Sequence, residues 1–191
     1  RIRSRGLGDV YKRQKLLQGN LGNAVVKISS VEESERYIQA PAKVFHSQSE
    51  VKAAFAAGEL NHDCVVVLRF QGPAANGMPE LHGLAPIFEA IRSFGNKIAL
   101  LTDGRLSGAS GSILSAIHLS PEAAASGPIS FIQDGDIITI DSKQGLISVQ
   151  ADFTGRETAT APTFEPGLGR ELFSVFRQNV SASEFGGNSL R

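Results

Sequence analysis

Two segments of this chain hold residue types from which a chemical site can be built. The first is Gln71-Gly72-Pro73-Ala74-Ala75-Asn76-Gly77-Met78-Pro79-Glu80. It puts a carboxylate at a helix start, behind a turn stiffened by proline. Hard divalent cations take oxygen ligands, so Glu80 can ligate Mg²⁺. The same carboxylate can instead complement the helix dipole. The second segment, Thr102-Asp103-Gly104-Arg105-Leu106-Ser107-Gly108-Ala109-Ser110-Gly111, packs three glycines and two serines behind an apolar run. Backbone N–H groups in such a loop form an anion-binding nest, here around Gly108 and Ser110. Arg105 adds a bidentate contact to phosphate or carboxylate. The Ser107 hydroxyl faces a ligand from between Leu106 and Gly108, but serine is a poor base unless a metal or nearby cation stabilises its alkoxide. A plain glycine-rich turn, with Asp103 making an Asx-turn, accounts for the same residues.

Other motifs are excluded by their spacing. No Lys follows the last glycine of 102–111, so the loop is not a P-loop. Gly108-Ala109-Ser110-Gly111-Ser112 lacks the final glycine of a nucleophile elbow. His46, His62, His82 and His118 show no metal-ligand spacing and read as surface or satisfied core residues. His82 alone is retained as a candidate substrate contact, because it stands two residues after Glu80.

Both loops follow buried strands. Cys64–Phe70 and Lys97–Thr102 are near-continuous apolar runs, the pattern of strands covered on both faces. Ligands in α/β folds bind beyond the carboxyl ends of strands. Further short strands are expected over Ala24–Ile28 and Ala42–Phe45, and 113–119 reads as strand or helix. A hairpin over 137–150 turns at Ser142-Lys143-Gln144-Gly145. Ser47 and Glu50 form a capping box for a helix over Val51–Ala57 that stops at Gly58. Helical spacing over 80–94 puts Leu81, Leu84, Ile87, Phe88 and Ile91 on one face, with a late start or kink at Pro86. Ser120-Pro121-Glu122 is expected to open a short helix with Ser at the N-cap. A last amphipathic helix is expected over Gly169–Val180, carrying Leu172, Phe173 and Phe176. Strands and helices alternate, then strands run together, which predicts a mixed α/β sheet or barrel rather than a doubly wound sheet.

The chain has 191 residues, 41% of them apolar and 20% charged, which excludes general disorder, collagen and a disulfide framework. No apolar run reaches the roughly 18 residues of a membrane span. Cys64 is the only cysteine, which fits a reducing, cytoplasmic setting and cannot alone supply a zinc or iron–sulfur site. The zero net charge hides an asymmetry: residues 1–15 carry six basic groups and one acid, and the remainder is net −5. Such an arm can bind nucleic acid or anionic lipid. The preferred reading is sequence foreign to the domain, such as a translated adaptor joined to a truncated reading frame, so no nucleic-acid or membrane partner is expected. The chain is thus divided into an arm (1–15), a domain (16–160) and a C-terminal helix and tail (161–191).

QGPAANGMPELH (71–82) and TDGRLSGASG (102–111) together resemble the dihydroxy-acid and sugar-acid dehydratase family. The likeness continues through AIHLSPEA (116–123) and DGDIITID (134–141) and covers roughly residues 16–185. The first loop is less glycine-rich than in relatives acting on branched-chain precursors, and the tail GLGRELFSVFRQNVS (167–181) looks like the branch acting on a phosphorylated sugar acid. GNLGNAVVK (19–27) is similar in both. The resemblance implies that 6-phosphogluconate loses water to give 2-dehydro-3-deoxy-6-phosphogluconate. It implies an iron–sulfur cluster acting on the departing 3-hydroxyl, with Ser107 as the base at C2. Glu80 would be a ligand of a divalent ion, Mg²⁺ or Mn²⁺. It further implies a β-barrel-like swivelling domain with outer helices. The resemblance also implies a cysteine-bearing N-terminal domain outside this sequence, and the full-length enzyme is expected to be a homodimer. Alone, this chain is expected to be catalytically incomplete. Two alternatives are a dehydratase of an unphosphorylated sugar acid and a non-catalytic module that binds a phosphorylated acid.

Overall fold

Eight strands close into a barrel in the order β1-β2-β6-β5-β4-β3-β7-β8. They are β1 (Gln14–Gly19), β2 (Gly22–Lys27), β3 (Tyr37–Phe45), β4 (Cys64–Leu68), β5 (Ile98–Thr102), β6 (Leu114–Ser120), β7 (Ile137–Asp141) and β8 (Leu146–Gln150). This computed structural model describes residues 14–28, 31–107, 112–164, 167 and 169–189. Strands β3 to β6 pair in parallel, while β1, β2, β7 and β8 form antiparallel hairpins around them. A single parallel pairing, Gln18 with Leu146, closes the ring. The expected mixed α/β barrel is therefore the fold.

Alternation along the central strands explains their continuous apolar runs. Val65 and Val67 of β4, with Ala99 and Leu101 of β5, join an interior cluster to which every strand contributes. Cys64, Val66 and Leu68, with Ile98 and Leu100, face outward into a second cluster. That cluster is covered by α1 (Gln48–Ala56), through Val51 and Ala54, and by α3 (Ala85–Ser93), through Phe88 and Ile91. Burying a large apolar side chain contributes roughly 1.5–3 kcal/mol, so these two faces dominate the stability.

Local signals place the ends. Ser47 Oγ accepts the Glu50 N–H at 3.2 Å, and Glu50 reaches back to the His46 N–H at 2.7 Å. Pro41 stands inside β3, where pairing with β7 ends at Ile137 and pairing with β4 begins at Ala42. A residue without an N–H is tolerated at such a changeover.

Several boundaries differ from expectation. The ladder of β1 begins at Gln14, so Gln14 and Lys15 pair with Lys27 and Val26. The helical segment over 80–94 does have the late start expected at Pro86: it begins at Ala85, after a 3₁₀ turn over His82–Leu84. Ser120 ends β6 instead of capping a helix: its hydroxyl bonds Glu184, the Ser120–Pro121 peptide is cis, and Glu122 precedes the 3₁₀ turn Ala123–Ala125. The last helix shrinks to α4 (Ser174–Asn179). Gly169 has φ +81° and Leu172 is 73% exposed, so no buried face propagates the helix.

Candidate active site at the barrel rim

Strands β4 and β5 are parallel neighbours with Leu68 opposite Thr102, so the segments after them leave the same edge of the barrel. What holds them there is Asp103, which is completely buried. Its carboxylate accepts the N–H groups of Phe70 at 3.2 Å, Gln71 at 2.8 Å and Ala123 at 3.0 Å. One side chain thus ties the exits of β4, β5 and β6 together. Burial pushes the Asp103 carboxyl up to about 6 against the pull of those three N–H groups, and nearby Glu122 adds to the rise. Asp103 is therefore neither an Asx-turn residue nor an exposed base.

Glu122 completes the scaffold. Its two carboxylate oxygens accept the N–H groups of Ala74 and Ala75, each at 3.1 Å, at the start of the four-residue helix α2 (Pro73–Asn76). The approach is close: a Cβ on Gly72 would lie 2.3 Å from Glu122 Oε2. A Cβ on Gly104 would lie 2.6 Å from Gln71 Cβ. These two glycines are required by space, not by turn chemistry. Beneath them Arg69 donates to the carbonyls of Ser130 and Ile132 and, through Nε, to His46 Nε2 at 3.0 Å. His46 is thus a satisfied histidine, held below its ordinary pKa by burial and by Arg69.

At the mouth of this scaffold the two candidate loops meet edge to edge, through a parallel bridge between Glu80 and Arg105. Glu80 Oε1 accepts the Ser107 N–H at 2.8 Å and the His82 N–H at 3.1 Å. Arg105 Nε donates to the Met78 carbonyl at 3.0 Å and lies 3.9 Å from Glu80 Oε2. Glu80, His82, Arg105 and Ser107 are therefore one assembly. Glu80 thus clamps the two loops and also accepts the first N–H of the 3₁₀ turn His82–Leu84 that leads into α3. Gly108 and Ser110 lie outside the described residues.

The backbone around the rim is unusual. Phe70, Met78 and His118 all have φ between +54° and +62°. Non-glycine residues in this region cost energy and persist only where surrounding contacts impose them. His118, expected at the surface or in the core, belongs to the rim. Its N–H donates to the Gly104 carbonyl at 2.9 Å, and its own carbonyl accepts the Ser183 hydroxyl at 3.2 Å. Burial and the neighbouring Arg105 lower its pKa. Its motif AIHLSPEA was the available signal.

The described residues do not accommodate either implied metal group by themselves. Among the described residues no three His, Cys, Asp or Glu side chains come together. Glu80 offers one carboxylate whose Oε1 already receives two N–H groups and whose Oε2 faces Arg105. Cys64 is fully buried on the outer face of β4, with its thiol pushed up to about 11 by burial. Cluster ligation needs an accessible thiolate, so Cys64 does not fit that role.

The family model described as dihydroxy-acid/6-phosphogluconate dehydratase C-terminal matches residues 12–187. A phosphogluconate dehydratase of Rhizobium meliloti is 49% identical over 181 residues, covering 92% of this chain and 30% of the relative. Its counterpart in Zymomonas mobilis is 50% identical over 175 residues, covering 90% and 29%. A dihydroxy-acid dehydratase of Pyrococcus furiosus is 43% identical over 141 residues, covering 72% and 25%. The chain spans about 30% of the length of the phosphogluconate dehydratases it matches. With both loop motifs at one barrel rim and a family match across nearly its whole length, the chain belongs to the dihydroxy-acid/6-phosphogluconate dehydratase family.

Proposed function

We propose that this chain is the C-terminal, substrate-facing part of a cytoplasmic hydro-lyase that converts 6-phosphogluconate to 2-dehydro-3-deoxy-6-phosphogluconate and water. The observation that carries the reading is the clamp by Glu80, whose carboxylate holds the Ser107 N–H at 2.8 Å and lies 3.9 Å from Arg105 Nε at the same rim. The relatives at 46–50% identity that bear the name phosphogluconate dehydratase support the choice of substrate.

In this reading Ser107 Oγ, as an alkoxide, takes the proton from C2; the C3–O bond breaks, and the departing hydroxide takes that proton from Ser107 and leaves as water, which restores the alkoxide. The enol left between C2 and C3 then tautomerises to the 2-ketone. Arg105 is assigned to the substrate carboxylate, where its positive charge would favour negative charge developing at C2. His82 and the loop around Gly108 and Ser110 are assigned to substrate contact. The cluster and any Mg²⁺ or Mn²⁺ would be held chiefly by residues outside this chain, with Glu80 supplying a single carboxylate. The complete enzyme would be a homodimer with its cleft between this domain and an N-terminal one.

The test joins this chain to the N-terminal portion of a phosphogluconate dehydratase and assays 2-keto acid formation from 6-phosphogluconate and from gluconate. Turnover of 6-phosphogluconate, with little from gluconate, is expected. Equal turnover of both, or turnover of neither by a folded, cluster-loaded protein, contradicts the assignment.

A further inference from the structure

A cavity of about 820 Å³ opens between the first loop and the C-terminal tail. Its wall includes Asn76, Met78, His118, Phe164, Arg170 and Arg177. Its size suits a small phosphorylated metabolite. Among the described residues of the wall there are two guanidinium groups and one imidazole, and no carboxylate.

The arginines are held in place. The Arg170 guanidinium lies over the Phe164 ring, 3.7 Å from its centroid. It donates to Asn76 Oδ1 at 2.7 Å and to the Ala75 carbonyl at 3.0 Å, which fastens the tail to the first loop. Arg177 donates from Nη2 to the Arg170 carbonyl at 2.9 Å. Burial and the like charge of Arg177 lower the Arg170 pKa, against the opposing pull of the Glu171 carboxylate. The two cations repel each other, the Glu171 carboxylate offsets that repulsion in part, and a bound phosphate would offset it further. A phosphomonoester carries a charge of about −1.5 to −2 at neutral pH, matched to two arginines.

The cavity adjoins the reaction rim. Met78 lines it while its carbonyl receives Arg105 Nε, and His118 lines it while its backbone is tied to Gly104. Met78 and His118 are therefore shared between the cavity wall and the rim that holds Arg105.

We propose that Arg170 and Arg177 form a phosphate subsite that selects phosphorylated sugar acids over unphosphorylated ones. The proposal rests on the dehydratase reading for its substrate, yet it is tested on this chain without turnover. Binding of 6-phosphogluconate, gluconate and inorganic phosphate is measured by titration calorimetry. The wild-type chain should bind 6-phosphogluconate at least about tenfold more tightly than gluconate, the scale of a charge-assisted hydrogen bond. Arg177→Gln should abolish that preference by weakening only 6-phosphogluconate, with the thermal midpoint reporting that the fold is kept. A wild-type readout stands beside the variant: inorganic phosphate should shift the Nε–Hε resonances of Arg170 and Arg177. Equal binding of the two acids, an unchanged preference in folded Arg177→Gln, or unmoved arginine resonances at saturating phosphate overturns the subsite. Turnover of 6-phosphogluconate but not gluconate by the joined enzyme, with no binding preference in this chain, would leave the dehydratase reading standing and remove only the subsite.

Discussion

The carboxylate of Glu80 and the backbone N–H of Ser107 are 2.8 Å apart, across loops that leave adjacent parallel strands. The glutamate therefore does mechanical work before any metal is considered. It fixes the peptide that carries the serine, so the two side chains cannot be altered independently. Glu80→Ala should release that peptide, whereas Glu80→Gln keeps the Oε1 acceptor. Amide hydrogen exchange at Ser107 and His82 should be about tenfold faster in Glu80→Ala than in wild type, and near wild type in Glu80→Gln. Equal exchange in wild type and Glu80→Ala would show that the clamp contributes nothing.

Asp103 gives the domain a pH signature. Its folded-state value of about 6 lies above the ordinary 3.8, so the folded protein binds this proton more tightly than the unfolded chain. The stabilisation is full below the unfolded value and is lost as pH rises through 6. The shift corresponds to about 3 kcal/mol over that window. Asp103→Asn does not titrate. In urea unfolding, the stability of wild type relative to Asp103→Asn should fall between pH 4 and 6 and then level off. A difference that is constant or grows with pH contradicts the burial account.

Cys64 should not bind a cluster. Its thiol is buried beneath α1 and α3 and is pushed away from the thiolate form. After anaerobic reconstitution of this chain, iron and sulfide should stay far below stoichiometric. A stoichiometric cluster would mean that the second apolar cluster opens to admit one, against its packing.

The fold was legible where local pattern and burial coincide. β4 and β5 are buried on both faces, and that alone produces the runs Cys64–Leu68 and Ile98–Thr102. The hairpin of β7 and β8 carries its own turn, Ser142–Gly145, with Asp141 accepting the N–H groups of Lys143 and Gln144. Closure of the barrel was not legible, because it joins residues nearly 130 apart: Gln18 pairs with Leu146, and the Asn20 amide exchanges two hydrogen bonds with the Val149 backbone. The loops were recognisable from their glycines and charged residues, but their scaffold was not. The donors to Asp103 are 20 to 33 residues away, and Ser107 is 27 residues from Glu80. No periodicity encodes such pairings. The tail misled for a related reason: the spacing of Leu172, Phe173 and Phe176 is the same whether or not a partner surface covers them, and here they stay exposed.

The central claim is that Ser107 moves the C2 proton, and solvent deuterium exchange at C2 measures that step alone. It is read in the full-length enzyme bearing this domain, with wild type beside Ser107→Ala. General-base assistance is typically worth about 10²–10⁴-fold. Exchange and kcat should both fall by that order in Ser107→Ala, with KM little changed, since binding would rest on the arginines and not on the base. Wild-type exchange at C2 in Ser107→Ala would contradict the account.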